Sequence, residues 1–161
     1  MSTYKFKNLK TLNNYLNKKI SIALDNVASI TLEKLKENVN NSVYSWTPKQ
    51  YERTYQLLNA ISKTKPINNN GKYTVEIYFD PLKIQPILNP YGWNAHASFK
   101  GEWTANSTTS DNLISWLEYG TPNNKYYKHS EHRFLRDTIE WIQKEYTDLF
   151  IQQLKNLNVS K

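Results

Sequence analysis

The chain holds three histidines, His96, His129 and His132. Two of them flank a carboxylate in His129-Ser130-Glu131-His132. Imidazole and carboxylate together are ligands for zinc or manganese. A site of that kind needs a third and a fourth ligand. His96, with Asp80 or Asp111, is the only suggestive source, and the stricter His-Glu-x-x-His spacing is absent. A metal-dependent hydrolase on His96, His129 and His132 is therefore a weaker reading than histidines at a surface or interface. A Ser/His/Asp triad can be drawn from any chain with three histidines, but no Gly-x-Ser-x-Gly elbow occurs. With four glycines in all, there is no loop to cradle a phosphate. No pair of carboxylates marks a hydrolytic centre. The residues predict no catalytic group, no metal and no cofactor.

The chemistry that remains is contact, and it concentrates in Leu113–Phe134. An apolar run (Leu113, Ile114, Trp116, Leu117) leads into Glu118-Tyr119-Gly120-Thr121. A basic aromatic loop follows, with Lys125, Tyr126, Tyr127, Lys128, His129, His132 and Arg133. Lysines interleaved with tyrosines suit phosphate contacts and base stacking. They equally suit a solvated loop tip whose tyrosines pack on a neighbouring protein. A second aromatic segment, with Trp93 and Trp103, precedes it.

Bulk composition narrows the classes. At 161 residues one domain is expected, long enough to bury a true core. Twelve Tyr and five Trp favour surfaces buried against another molecule. A formal charge of +7 permits an acidic partner and also fits a basic protein with scattered lysines. The absence of Cys excludes disulfides and thiolate chemistry. Met1–Lys19 is polar and lacks the apolar stretch of a secretion signal. No run approaches the ~18 apolar residues of a membrane span, so no membrane contact is expected. The expected place of work is a cytoplasm or an assembly built there.

The elements that position the loop follow from periodicity. Asn8 is a candidate N-cap. Leu12, Leu16, Ile20, Ala23, Val27, Ile30 and Leu35 then trace an amphipathic stripe, with Lys10, Asn14, Lys18, Lys19, Asn26, Glu33 and Glu37 opposite. This predicts a helix from Leu9 to about Val39, with a break near Lys18–Ser21 as an alternative, ended by Asn38, Asn40, Asn41 and Ser42. A helix of roughly thirty residues is ~45 Å long, more than such a domain is wide, so it bends, breaks or protrudes towards a partner. Thr47-Pro48-Lys49-Gln50 reads as a helix start, continuing through Ile61, with an extended segment from Thr54-Tyr55 as the alternative. Pro66 and Asn68-Asn69-Asn70-Gly71 mark a turn, with Asn70-Gly71 favouring positive φ. Lys72–Asp80 alternates as a strand, with Leu57–Lys65 or a later strand as partner. Residues 81–111 form an irregular segment, with short strands at Leu82–Gln85 and Phe99–Thr104. Ser110 or Asp111 caps a short helix that Gly120 stops. Ser130 caps a C-terminal helix over Glu131–Leu157, with Leu135, Ile139, Ile142, Tyr146, Leu149 or Phe150, and Gln153 as its stripe and Lys155 near its end. The predicted class is α+β: a long N-terminal helix and a C-terminal helix packed on a small antiparallel sheet.

Three stretches in this order carry a resemblance. They are Ser45-Trp46-Thr47-Pro48-Lys49-Gln50-Tyr51-Glu52-Arg53-Thr54, then Leu117-Glu118-Tyr119-Gly120-Thr121, then Arg133-Phe134-Leu135-Arg136-Asp137-Thr138. The chain resembles the tail-completion, or neck (head–tail joining), protein family of long-tailed bacteriophages. Tyr55 stands where glycine is frequent in that family. His132-Arg133-Phe134 replaces the first proline of its Pro-Phe-(Leu/Met)-x-Pro pattern, and the Trp93/Trp103 segment is an insertion. The resemblance implies a non-catalytic α+β subunit. It assembles in the host bacterial cytoplasm into a six- or twelve-fold ring, located in the virion at the neck. Its partners would be other copies of the chain, connector or head-completion proteins, and tail-tube or tail-terminator proteins. On this reading Tyr119, Gly120, Thr121, Tyr126, Tyr127, His129, Phe134, Trp93 and Trp103 lie at subunit or partner interfaces. Lys125, Lys128 and Arg133 contact genomic DNA in the channel without sequence preference. The alternative is a stand-alone basic nucleic-acid-binding module.

Overall fold

The computed structural model describes residues 5–45, 55–84, 114–115, 117–120 and 130–159. Three helices carry most of it: α1 (Leu9–Val43), α2 (Gln56–Ala60) and α3 (Phe134–Val159). Between α2 and α3 lie four short strands, β1 (Ile61–Lys63), β2 (Ile67–Asn69), β3 (Lys72–Thr74) and β4 (Ile77–Phe79), and a 3-10 turn at Pro81–Lys83. Residues 114–115 and 117–119 are helical. The α+β class holds: helices dominate, and the β part is small and antiparallel.

α1 begins where expected. Asn8 Oδ1 accepts from the Thr11 amide (2.9 Å) and Thr11 Oγ1 from the Asn8 amide (3.3 Å), a reciprocal capping box. The helix then runs 35 residues without a break, ~52 Å at 1.5 Å per residue. It passes through Asn38, Asn40, Asn41 and Ser42, the residues expected to end it. Short polar side chains disfavour a helix interior when they compete for its backbone. Here Ser42 folds back onto the Asn38 carbonyl (2.7 Å), and the Asn38 amide is engaged by Thr138 Oγ1 of α3 (2.8 Å).

α3 packs antiparallel along α1, and the seam is held by polar rungs. Asn38 meets Thr138, Asn26 Nδ2 donates to Gln153 Oε1 (3.1 Å), and Lys19 Nζ donates to the Leu157 carbonyl. Asn26 and Lys19, assigned above to the solvated side, therefore belong to the seam. The α3 stripe also shifts. Phe134 and Thr138 are buried, whereas Ile139 and Tyr146 are exposed. α3 ends at Val159, so its last turn has no basic residue and Lys155 lies before it.

The core sits at one end of this helix pair. Leu32, Leu35 and Val39 of α1 pack with Leu57 and Ala60 of α2, Ile61 of β1, Ile84, and Phe134 of α3. The Phe134 ring meets Phe79 of β4 edge-on, with centroids 6.0 Å apart. β1 pairs with β4 in the register Ile61↔Phe79, which realises the expected partner for that strand. Lys72–Asp80 is not one strand, however. It divides after Thr74, and β3 pairs with β2 instead. Asn68 and Asn69 are thus strand residues, and the turn is Asn70-Gly71, both with positive φ (53° and 88°). Leu82 and Lys83 lie in the 3-10 turn, which Asp80 caps by accepting from the Leu82 amide (3.1 Å), so no strand starts at Leu82.

The second helix differs most. Tyr55 takes φ 53° immediately before Gln56, so no continuous helix runs from Pro48 to Ile61. A left-handed tyrosine costs roughly 1–2 kcal/mol. A tilted contact with the Tyr44 ring, centroids 4.9 Å apart, offsets part of that cost. The helix also stops at Ala60, one residue early, because Ile61 enters β1. The Tyr51-Glu52-Arg53-Thr54 motif and the expected strand at Phe99–Thr104 lie outside the described residues.

This placement of the core sets a contrast between two leucines of α1. Leu35 is 3 % exposed and Leu9 82 %. In urea unfolding, Leu35→Ala should cost about 2–5 kcal/mol, and Leu9→Ala no more than about 0.5 kcal/mol. A similar loss for both would mean that the core extends to the start of α1.

Candidate functional site

The segment that carries the expected contact loop is organised by one carboxylate. Glu118 ends an apolar helical turn and has no exposed surface. Its Oε2 accepts from the Leu135 amide (2.8 Å), and its Oε1 from the Arg136 amide (3.1 Å) and Arg136 Nε (3.0 Å). The Glu118 carbonyl accepts from Arg136 Nη2 (3.0 Å). Leu135 and Arg136 are the second and third residues of α3, where a capping side chain normally satisfies free amides. The residue before the helix is Arg133, which has no acceptor to offer and takes φ 49°. Glu118 supplies the cap from elsewhere in the chain, and its charge opposes the positive end of the helix dipole. Ser130, read as the cap, precedes the helix by four residues.

Three further bonds close the base of the loop. The His132 amide donates to the Leu117 carbonyl (2.9 Å). The His132 ring donates from Nδ1 to the Ser42 carbonyl at the end of α1 (2.8 Å). Arg136 Nη2 also donates to Glu131 Oε2 (2.8 Å), and the Arg136 guanidinium lies over the Tyr119 ring, 5.3 Å from its centroid. The Arg136 hydrogen bond and positive charge hold the Glu131 carboxyl below the usual carboxylate range. Glu131 in turn raises Arg136, with Glu118 acting in the same direction.

The expected site residues divide between core, surface and undescribed chain. Gly120 has φ 70° and ends the helical turn as anticipated. Tyr119 is 61 % exposed and presents its free face outward. Phe134 was placed at an interface, but it is fully buried in this chain's own core. Its ring is consumed by packing on Phe79 and has no surface left for a partner. Arg133, placed in a DNA channel, is exposed but pairs with Asp137 and Glu140 of its own helix (3.3 Å each). Thr121, Lys125, Tyr126, Tyr127, Lys128, His129, Trp93, His96 and Trp103 lie outside the described residues. Among the described residues, no three His, Asp or Glu side chains gather as metal ligands.

Sequence reasoning underweighted Glu118, Glu131, His132 and Arg136. One signal was present for Glu118: a lone carboxylate between Leu117 and Tyr119, at the end of an apolar turn, needs a partner to be buried. What it could not supply was the identity of that partner. As a chemical device the arrangement is a latch. Every Glu118 oxygen is occupied, and the bonds tie residues 117–120 to residues 131–136. Gly120 and Ser130, on either side of residues 121–129, are thereby held at one place in the fold.

Two measurements test the latch. Glu118→Ala should destabilise the protein by about 2–5 kcal/mol, combining loss of a helix cap with orphaned buried donors. Glu118→Gln should also destabilise, because its amide NH2 must face another donor. A loss below about 1 kcal/mol for the alanine variant would show that Glu118 does not cap α3. For Glu131 the sign follows from its lowered pKa. The pair with Arg136 stabilises the fold above the ordinary carboxylate range and ceases to do so as pH falls through the depressed value. The difference in melting temperature between the protein and Glu131→Gln should therefore close in acid; a constant difference would exclude an ionised Glu131–Arg136 pair.

No described helix is long and apolar enough to cross a membrane. No curated protein and no solved structure matches the chain. A family model described as YomN matches residues 8–156, a span that takes in α1, the strands, the Glu118 latch and most of α3. The chain therefore belongs to the YomN family, a phage-derived, SPBeta-prophage-like family, which marks it as a phage-associated protein.

Proposed function

We propose that this protein is a structural subunit of the phage head–tail interface, a neck or tail-completion protein that works by assembling into a ring. The observation that carries this reading is the latch between Glu118 and Arg136. It joins two of the three stretches that resemble tail-completion proteins, Leu117–Thr121 and Arg133–Thr138. It also commits the buried charge to holding a loop's two ends, which is what a contact device needs. A closed ring uses two different faces of each subunit. The exposed ring of Tyr119 and the Lys/Tyr loop from Lys125 to His129 would supply one of them. The partners on this reading are further copies of the chain in a six- or twelve-fold ring, a connector or head-completion protein on one side, and a tail-tube or tail-terminator protein on the other. The work is mechanical, and no cofactor enters it.

The decisive experiment combines the purified chain with connector and tail-tube proteins of the same phage, with size read by light scattering and particles imaged. The expected result is a ring on one of those partners. Tyr126→Ala with Tyr127→Ala should keep the circular dichroism spectrum of the parent and lose the ring. A chain that stays monomeric at high concentration and binds neither partner would remove the proposal. An unfolded double variant would place the loop in the core rather than at a contact.

A further inference from the structure

Among the described residues, lysines without acidic neighbours gather at one end of the fold. Residues 1–24 hold Lys5, Lys7, Lys10, Lys18 and Lys19, and residues 149–161 hold Lys155 and Lys161; neither segment contains an aspartate or glutamate. These seven lysines equal the whole formal charge of +7, and the rest of the chain balances 14 basic against 14 acidic residues. The segments are at opposite ends of the sequence, and the fold brings their described parts, residues 5–24 and 149–159, together. α1 and α3 run antiparallel, so the start of one meets the end of the other through Lys19 and the Leu157 carbonyl. The β2–β3 hairpin docks on the same part of α1, where Tyr73 Oη donates to Asn17 Oδ1 (2.6 Å). It adds Lys72 and no carboxylate. The first carboxylate along α1, Asp25, is engaged by Lys63. Lys5, Lys7, Lys10, Lys18 and Lys155 are exposed, and none forms an ion pair with a described carboxylate. Among them lies an aromatic pair, Phe6 and Tyr15, with centroids 5.2 Å apart.

We propose that this acid-free end of the α1/α3 pair binds the phosphate backbone of DNA without reading its sequence. Lysines gathered in this way repel one another, and a polyanion removes that repulsion while releasing its own counterions. Residues Leu9 to Lys19 cover ~15 Å of helix, facing several phosphates of a duplex with one charge per ~1.7 Å of axis. Lysines act as point charges on phosphate and do not match base edges as forked donors do. A second copy meeting end to end would place like charges together, which opposes self-association through this surface. The site does not include Arg133 and does not depend on the ring.

The test is a salt series of binding between the full chain and a short random-sequence DNA duplex, read by fluorescence anisotropy. Binding should weaken steeply with salt. Replacing Lys5, Lys7, Lys10 and Lys18 together by Gln should flatten the slope of log K against log salt by roughly one for each phosphate no longer neutralised, ~3–4 in all. Helicity should be unchanged, and Lys34→Gln with Lys36→Gln, two lysines already paired with Glu37 and Glu33 further along α1, should leave the slope nearly as it was. If the fourfold variant does not fold, Lys10→Gln alone should flatten the slope by about one. No duplex binding at low salt overturns the proposal, as does an unchanged slope in the lysine variants. It is also overturned if Leu9→Ser with Leu16→Ser abolishes ring assembly while the lysines prove dispensable for DNA, because the end then belongs to a protein contact. Light scattering on the same samples reports the ring separately.

Discussion

A carboxylate with no exposed surface, held at the first turn of α3, is the constraint on which the rest of this structure rests. Taking an ionised group out of water costs several kcal/mol unless both its oxygens find donors. Glu118 meets that condition with two backbone amides and a guanidinium. The same bonds satisfy the amides of a helix whose preceding residue, Arg133, cannot cap it. Once α3 is fixed there, Phe134 is aimed into the core against Phe79, and Thr138 meets Asn38 of α1. The sheet, the long helix and the C-terminal helix are thus tied at one point. The two ends of the basic aromatic loop emerge from it.

The position of the latch explains the division of the molecule into two ends. Near it, α1 is buried by Leu32, Leu35 and Val39, where apolar area supplies the stability. Away from it, α1 and α3 continue as a pair joined by Asn26, Gln153, Lys19 and the Leu157 carbonyl. Polar rungs fix the register of two helices but add little net stability each. That end can therefore carry unbalanced charge without weakening the core. The described fold thus has an apolar, latched end and a lysine-bearing end.

Features set by short-range chemistry were legible in the sequence. Asn8 caps α1, Gly120 stops its helical turn, and Asn70-Gly71 turns the β2–β3 hairpin, because each depends on one residue's φ or on a bond to a neighbour three positions away. The stripe on α1 was legible from Ala23 to Leu35 for the same reason. Readings failed where a local preference was overridden from a distance. Ser130 is a sound cap by type, yet α3 starts four residues later because Glu118 holds its amides there. Asn38 to Ser42 look like a stop, yet Thr138 takes up the Asn38 side chain and the Asn38 carbonyl that of Ser42. Tyr55 gives no sign in the sequence of its left-handed conformation, in which its ring meets that of Tyr44, eleven residues away.

The sequence by itself determined the class of the fold, the absence of thiol chemistry, the loop rich in Lys and Tyr, and the motifs that belong to a phage-associated family. These are properties of residue type and of spacing within a turn or two. Only the tertiary structure decided that Glu118 and Arg136 are partners, that Phe134 is core rather than contact surface, and that two lysine-bearing termini form one charged end. Each of those depends on residues far apart in the chain being held within a few ångströms. Burial and Coulomb interaction act through space, so pattern along the chain carries no record of them until the helices are packed.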